Sequence, residues 1–138
     1  MARENVEVAA AWYEAYNDRD LEGALALMHP DVDCTSAGMS GVEGSTIVGH
    51  EGMRRYFADL WETWENPRVD VEQLFERGDH VVMLGSTSGA GRLSGISVDF
   101  PVASVIYVED GLIRRYRTYR EWDTALAIVD ELESAPGG

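Results

Sequence analysis

Asp99 and Arg120 form the one acid–base pairing that the sequence offers. A carboxylate at the dry mouth of a cavity has its pKa raised by desolvation, or lowered again by a nearby guanidinium. In one reading Asp99 is a general base and Arg120 holds an oxyanion or a carboxylate. In the other the two make a rim salt bridge at a strand end. Tyr13, Tyr16 and Tyr56 carry hydroxyls that could donate to a ligand oxygen, or be satisfied inside a packed core. Trp12 offers a stacking platform for a flat ligand, or a ring that narrows a pocket. Cys34 has no histidine or basic residue near it in sequence to lower its pKa, so a small buried hydrophobe is a simpler role than a nucleophile. His29, His50 and His80 lie far apart and lack ligand spacing, which predicts no metal site. No cofactor motif is present.

Composition bounds what such residues could serve. With 138 residues the chain suits a single domain spanning 1–138, long enough to bury a real core. A net charge of −14 argues against nucleic acid, because phosphate binding rests on clustered Lys and Arg, and it disfavours anionic membranes. One cysteine allows no intrachain disulfide, and no leader or membrane-length apolar run is seen; the expected location is cytoplasmic.

The elements that must position these residues follow from periodicity. Residues 4–17 predict a helix with Ala9, Trp12, Tyr13 and Tyr16 on one face. Asn17-Asp18-Arg19 ends it, Asp20 caps a second helix carrying Leu21, Ala24, Leu25 and Met28, and Pro30 stops that one. Residues 31–36 predict a short strand and 37–48 a Gly/Ser-rich loop. A third helix runs from about Glu51 to Glu65, with Met53, Tyr56, Phe57, Leu60 and Trp64 inward, and Asn66-Pro67 ends it. After Pro67 the period becomes two. "RVDVEQLFE", "HVVMLGSTSG", "LSGISVDFPVASVIYVE" and "LIRRYRTYREW" predict strands joined at "RGD", "GAG" and "EDG", the third beginning late near Val98. Residues 122–133 predict a closing helix, and 134–138 a frayed tail. Helices followed by an antiparallel meander indicate α+β: a curved, mostly antiparallel sheet wrapped around N-terminal helices.

"ENVEVAAAWYEAYNDRDLEGALALMHPDV", "GHEGMRRYF" and "VIYVEDGLIRRYRTYREWDTALA" resemble the SnoaL-like branch of the nuclear transport factor 2-like superfamily, over about residues 4–130. The resemblance implies a cystatin-like α+β cone, commonly a homodimer through the outer sheet face. It also implies relatives among polyketide cyclases, steroid isomerases, limonene-type epoxide hydrolases and dehydratases. The isomerases' tyrosine, aspartate base and protonated aspartate fall, by the ungapped match, on Trp12, Ser36 and Ala103. The aspartate of the epoxide hydrolases falls on Thr118. The resemblance therefore implies the fold but not those mechanisms.

On such a cone, alternation puts Cys34 with Ser36 on one side of the first strand, and Tyr116, Thr118 and Arg120 on one side of the last. Asp99 shares parity with Ala103, Val105 and Tyr107. With these faces inward, the cavity holds Trp12, Tyr13, Tyr16, Tyr56, Phe57 and Tyr116 and few charges. "RRYRTYR", four of the 11 basic residues, places Arg115 and Arg117 beside Ile113 and Tyr119 on the outer face. That face reads as a dimer surface whose arginines meet acids of this chain or its twin. Two functions stay open. One is a cone binding a small apolar or aromatic molecule, with a cyclisation, isomerisation or dehydration unassigned. The other is a non-catalytic binding or scaffolding module. A cavity of a few hundred cubic ångströms favours the first and a filled cone the second.

Overall fold

The computed structural model describes residues 4–35 and 46–134. The chain opens with α1 (Asn5–Asn17) and α2 (Leu21–Ala26), then β1 (Met28–Thr35), β2 (Thr46–Val48) and α3 (Gly49–Thr63). The meander β3 (Trp64–Arg77), β4 (His80–Gly91), β5 (Ser97–Glu109) and β6 (Leu112–Tyr119) follows, and α4 (Trp122–Ser134) closes it.

The break between α1 and α2 is a fully hydrogen-bonded joint. The Arg19 N–H donates to the Tyr16 carbonyl (3.2 Å) and the Asp20 N–H to Ala15 (2.9 Å), the paired bonds of a Schellman close. Arg19 takes the left-handed position at φ 57°, which glycine usually fills. Asp20 then caps α2 at once, its Oδ1 accepting from the Gly23 N–H at 3.0 Å. The joint turns the chain between two buried stripes: Val8, Ala9, Trp12, Tyr13 and Tyr16 on α1, and Ala24 with Leu25 on α2.

The sheet has six strands in the order β2-β1-β6-β5-β4-β3. β1 runs parallel to β6, with Cys34 opposite Tyr116, and every other neighbour is antiparallel. The ladder shifts register at four places, between Met28 and Asp33, Glu65 and Arg68, Val71 and Gln73, and Tyr107 and Val108. Such bulges bend and twist a strand, and these curve the sheet around α1 and α3. Gly85 sits opposite the Val71–Gln73 shift, where a Cβ would stand 2.1 Å from the Asp70 carbonyl oxygen. Only glycine lets the strands meet there.

Several boundaries differ from the sequence expectation, most of them at prolines and glycines. Met28 and Pro30 belong to β1 and not to the second helix; proline is admitted because a bulge frees its position from the ladder. Asn66-Pro67 lies inside β3 for the same reason, beside another bulge. Gly89-Ala90-Gly91 ends β4, and the turn comes after it. β2 occupies part of the expected loop; residues 36–45 of that stretch, and the tail beyond 134, lie outside the described residues.

Each face of the sheet carries a buried core. The concave face holds the larger core, where Val8, Trp12, Phe57, Leu60, Met83 and Ile106 are packed. The convex face holds a second core of Val82, Leu84, Ala103, Val105, Ala125 and Val129 beneath α4. Trp122 anchors that helix by donating its indole N–H to the Gly85 carbonyl (2.9 Å), and Arg77 pairs with Asp130. The outer face read as a dimer surface is thus partly covered by the chain's own last helix.

Candidate functional site

A space of about 40 Å³ lies between α1, α3 and the concave sheet face. It is far smaller than the expected few hundred cubic ångströms, and holds water but not an aromatic ring. Rings fill the rest. The Trp12 indole centre stands 4.9 Å from the Tyr116 ring, 5.1 Å from Tyr13 and 5.6 Å from Tyr16. Phe57 lies 6.2 Å from Trp12 and stacks on Trp61 at 5.2 Å.

Trp12, Tyr16, Cys34, Tyr56, Tyr116 and Thr118 line the space, with Met53, Val69, Met83, Thr87 and Val102. Most of these are buried; Tyr56 and Thr118 are half-buried. Tyr13 and Phe57 stand behind the lining. Ser36 lies outside the described residues. No Asp, Glu, His, Lys or Arg is among the described residues that line it.

Ala103 and Asp99 are not at the site. Ala103 is buried on the convex face under α4, and alternation puts Asp99 on that same outer side, where it is exposed. The register gives the reason. Tyr116 pairs with Ile106 and Thr118 with Ser104, so the even-numbered positions of β5 face inward. Arg120 has the inward parity, and its guanidinium lies 4.8 Å over the ring of Phe100, which packs against the concave core. Asp99 and Arg120 therefore leave from opposite faces of the sheet. Arg114 is the extra residue of the bulge between Tyr107 and Val108, so Ile113 turns into the core instead of sharing a face with Arg115 and Arg117.

Sequence reading missed Ser104, one residue from the position it favoured. Its hydroxyl donates to the Tyr116 oxygen (3.2 Å), and the Tyr116 and Tyr13 hydroxyls share a bond of 2.7 Å. Ser104 stands opposite Thr118 and diagonal to Tyr116, a placement set by the β5–β6 register and not by any local signal in the sequence. Burial pushes the Tyr13, Tyr16 and Tyr116 phenols up from the ordinary value, most strongly by desolvation. They are neutral at physiological pH and act as donors, not bases. Burial pushes the Cys34 thiol up to about 12, which leaves it a poor nucleophile. The Trp12 indole nitrogen is buried and has no hydrogen-bond partner.

The remaining charges sit elsewhere. Arg117 grips both Asp33 carboxylate oxygens at 3.2 Å, and Arg114 donates to the Asp31 carbonyl at 2.7 Å, so these arginines meet acids and backbone of their own chain. The His50 Nε2–H donates to the Met28 carbonyl (2.8 Å), tying α3 to β1. Among the described residues no group of three His, Cys, Asp or Glu could hold a metal ion. No helix among them is long and apolar enough to cross a membrane.

Residues 9–116 match the family described as the SnoaL-like domain. The chain is 27% identical to TerC, whose crystal structure was determined with polyporic acid; the match covers 91% of this chain and 98% of that one, with a TM-score of 0.73. An NTF2-like protein of unknown function from Burkholderia pseudomallei is 25% identical, covering 92% and 98%, with a TM-score of 0.76. An uncharacterized cystatin-fold protein from Novosphingobium aromaticivorans is 23% identical over 86% and 100%, with a TM-score of 0.74, a likeness of fold. Comparison with curated proteins gives no match.

Proposed function

The chain belongs to the SnoaL-like domain family, and on that premise we propose that it binds a small, flat, largely apolar molecule in the aromatic hollow of its cone. The observation that carries this reading is an aromatic hollow without charge: Trp12, Tyr16, Tyr56 and Tyr116 line it, no acid or base is among its described lining residues, and the buried Trp12 indole N–H has no acceptor. A protein interior leaves few donors unsatisfied, and those it leaves call for an explanation. The neutral Tyr13–Tyr116–Ser104 hydroxyls beside it add polar atoms without charge. The 27% identical relative crystallized with polyporic acid supports the same reading.

A flat ligand needs more than the roughly 40 Å³ of the hollow. Tyr56 and Thr118 are the half-buried members of the lining, so movement there opens the hollow at the least cost in buried contacts. Within it, the described residues supply shape and hydrogen-bond donors but no base. A cyclisation, isomerisation or dehydration run here rests on hydrogen-bond donation and on folding the substrate, not on proton transfer to or from a carboxylate.

A second reading, a scaffold without ligand, is favoured by the small volume alone. A homodimer through the convex face fits either reading, with Arg115 exposed there beside the strip that α4 covers. Sedimentation velocity tests it.

Tryptophan fluorescence and thermal melts with a panel of flat apolar compounds separate the two readings. Ligand binding predicts saturable quenching and, at a hundred times Kd, about 2.7 kcal/mol of added stability. No response across the panel assigns the scaffold.

A further inference from the structure

The turn between β4 and β5 holds two apolar side chains in water. Leu93 is fully exposed and Ile96 is 65% exposed. The turn is braced, not loose. The Gly91 N–H donates to the Ile96 carbonyl (2.9 Å), the Gly95 N–H to the Gly91 carbonyl (2.8 Å) and the Ile96 N–H to the Ser94 hydroxyl (3.1 Å). Gly95 supplies the left-handed φ of 71°. Arg92 ties the turn to the end of α3, its backbone N–H donating to the Thr63 carbonyl (3.0 Å) and its Nε–H to the Trp61 carbonyl (2.8 Å). Trp61 and Trp64, both half-buried, stand behind it, Trp64 opposite Gly91.

We infer that this turn is a docking tip for a neutral lipid surface, entered by Leu93 and Ile96. The inference stands apart from the binding proposal. Charge is the first support. From His80 to Val98 the chain has no Asp or Glu, although it carries 25 of them elsewhere, and Arg92 is the tip's one formal charge. An arginine keeps its stem in an apolar layer while its head reaches phosphate oxygens, and indole rings settle at headgroup level. Acids resume just behind the tip at Glu62, Glu65 and Asp99, all exposed, so entry stops there. With a net charge of −14, anionic lipid repels the rest of the chain.

Size decides against a protein partner. A stable protein interface covers roughly 800 Å² on each side, and two side chains on a narrow turn fall far short. A protruding tip needs a fitted recess in a protein and none in a fluid layer. The tip also continues the concave face. Val98 and Phe100 pack against the concave core and Val102 lines the hollow, so an apolar run along β5 leads from the tip to the site.

The test spins the whole protein with sucrose-loaded phosphatidylcholine vesicles across the millimolar lipid range. Burial of two apolar side chains predicts half-maximal binding near about 1 mM accessible lipid. Added phosphatidylserine is expected to weaken it. Leu93→Ser combined with Ile96→Ser should weaken binding more than about tenfold, with an unchanged circular dichroism spectrum because both side chains are exposed. No pelleting of the unsubstituted protein overturns the inference. So does equal pelleting of the double variant, or tighter binding to the anionic vesicles. Self-association in sedimentation velocity that the double variant abolishes assigns the tip to a second copy and overturns it as well.

A second readout places the contact. Cys34 is buried, so an environment-sensitive dye on Leu93→Cys labels position 93 alone. Its emission should shift to the blue on phosphatidylcholine vesicles, while the same dye on Asp99→Cys should not shift. An unshifted dye at 93, or an equal shift at 99, overturns the inference.

Discussion

The side-chain amide of Asn17 clasps the backbone of Val69 from both sides, donating to its carbonyl at 2.8 Å and accepting from its N–H at 2.9 Å. β3 is the edge of the sheet, and Asn17 completes its ladder there as a further strand would. The last residue of α1 is thereby fixed to the rim that α1 must cover. Asn17→Ala removes both bonds and is expected to cost about 1–3 kcal/mol, read from chemical denaturation. An unchanged midpoint would show that the clasp adds nothing.

Tyr116 links the first helix to the sheet through its hydroxyl. Tyr116→Phe keeps the ring and strands the hydroxyls of Tyr13 and Ser104, which must pair with each other or go unmet. Stability is expected to fall by about 1–2 kcal/mol with no change in fold by circular dichroism.

The buried phenols and thiol set an alkaline limit. Their folded pKa values lie above the unfolded ones, so the folded chain holds protons that the unfolded chain releases. Their contribution is complete below about pH 9 and is lost as pH rises through the folded values. At least three of the six tyrosines, Tyr13, Tyr16 and Tyr116, should stay un-ionised until the protein unfolds, seen as a late, cooperative rise in phenolate absorbance. Cys34, moved from 9.0 to about 12, should be alkylated at mildly alkaline pH about a thousandfold more slowly folded than unfolded, from thiolate fraction alone.

Asp99 and Ala103 provide tests of the outward face. Asp99 is exposed, so Asp99→Asn should leave stability within about 0.5 kcal/mol and ligand affinity unchanged. A tenfold loss of affinity would return Asp99 to the site. Ala103→Leu should overpack the space beneath α4 and cost about 1–3 kcal/mol. Faster hydrogen exchange in residues 122–134 would report it.

The sequence disclosed the helices, the joint at Asn17–Asp20 and the meander, because each rests on a local period or a cap. It did not disclose which side of β5 faces inward. Residues 102–106 are buried without interruption, since α1 covers one side and α4 the other. Alternation, the only sequence signal of facing, vanishes where both sides are apolar. The bulge at Arg114 had the same effect on β6, flipping Ile113 against the count. The amount of empty space was equally hidden, because it depends on how rings from α1, α3 and β6 settle together and not on which rings are present.

The parallel seam between β1 and β6 carries a timetable. β3 to β6 are neighbours in sequence and can zip hairpin by hairpin, whereas Cys34 waits for Tyr116 across most of the polypeptide. A nascent chain leaving the ribosome presents Trp12 and Cys34 long before their counterparts are synthesised. The chamber comes into being last, when the oldest strand docks on the youngest, and until then its aromatic half stands open to chaperones and to other unfinished chains.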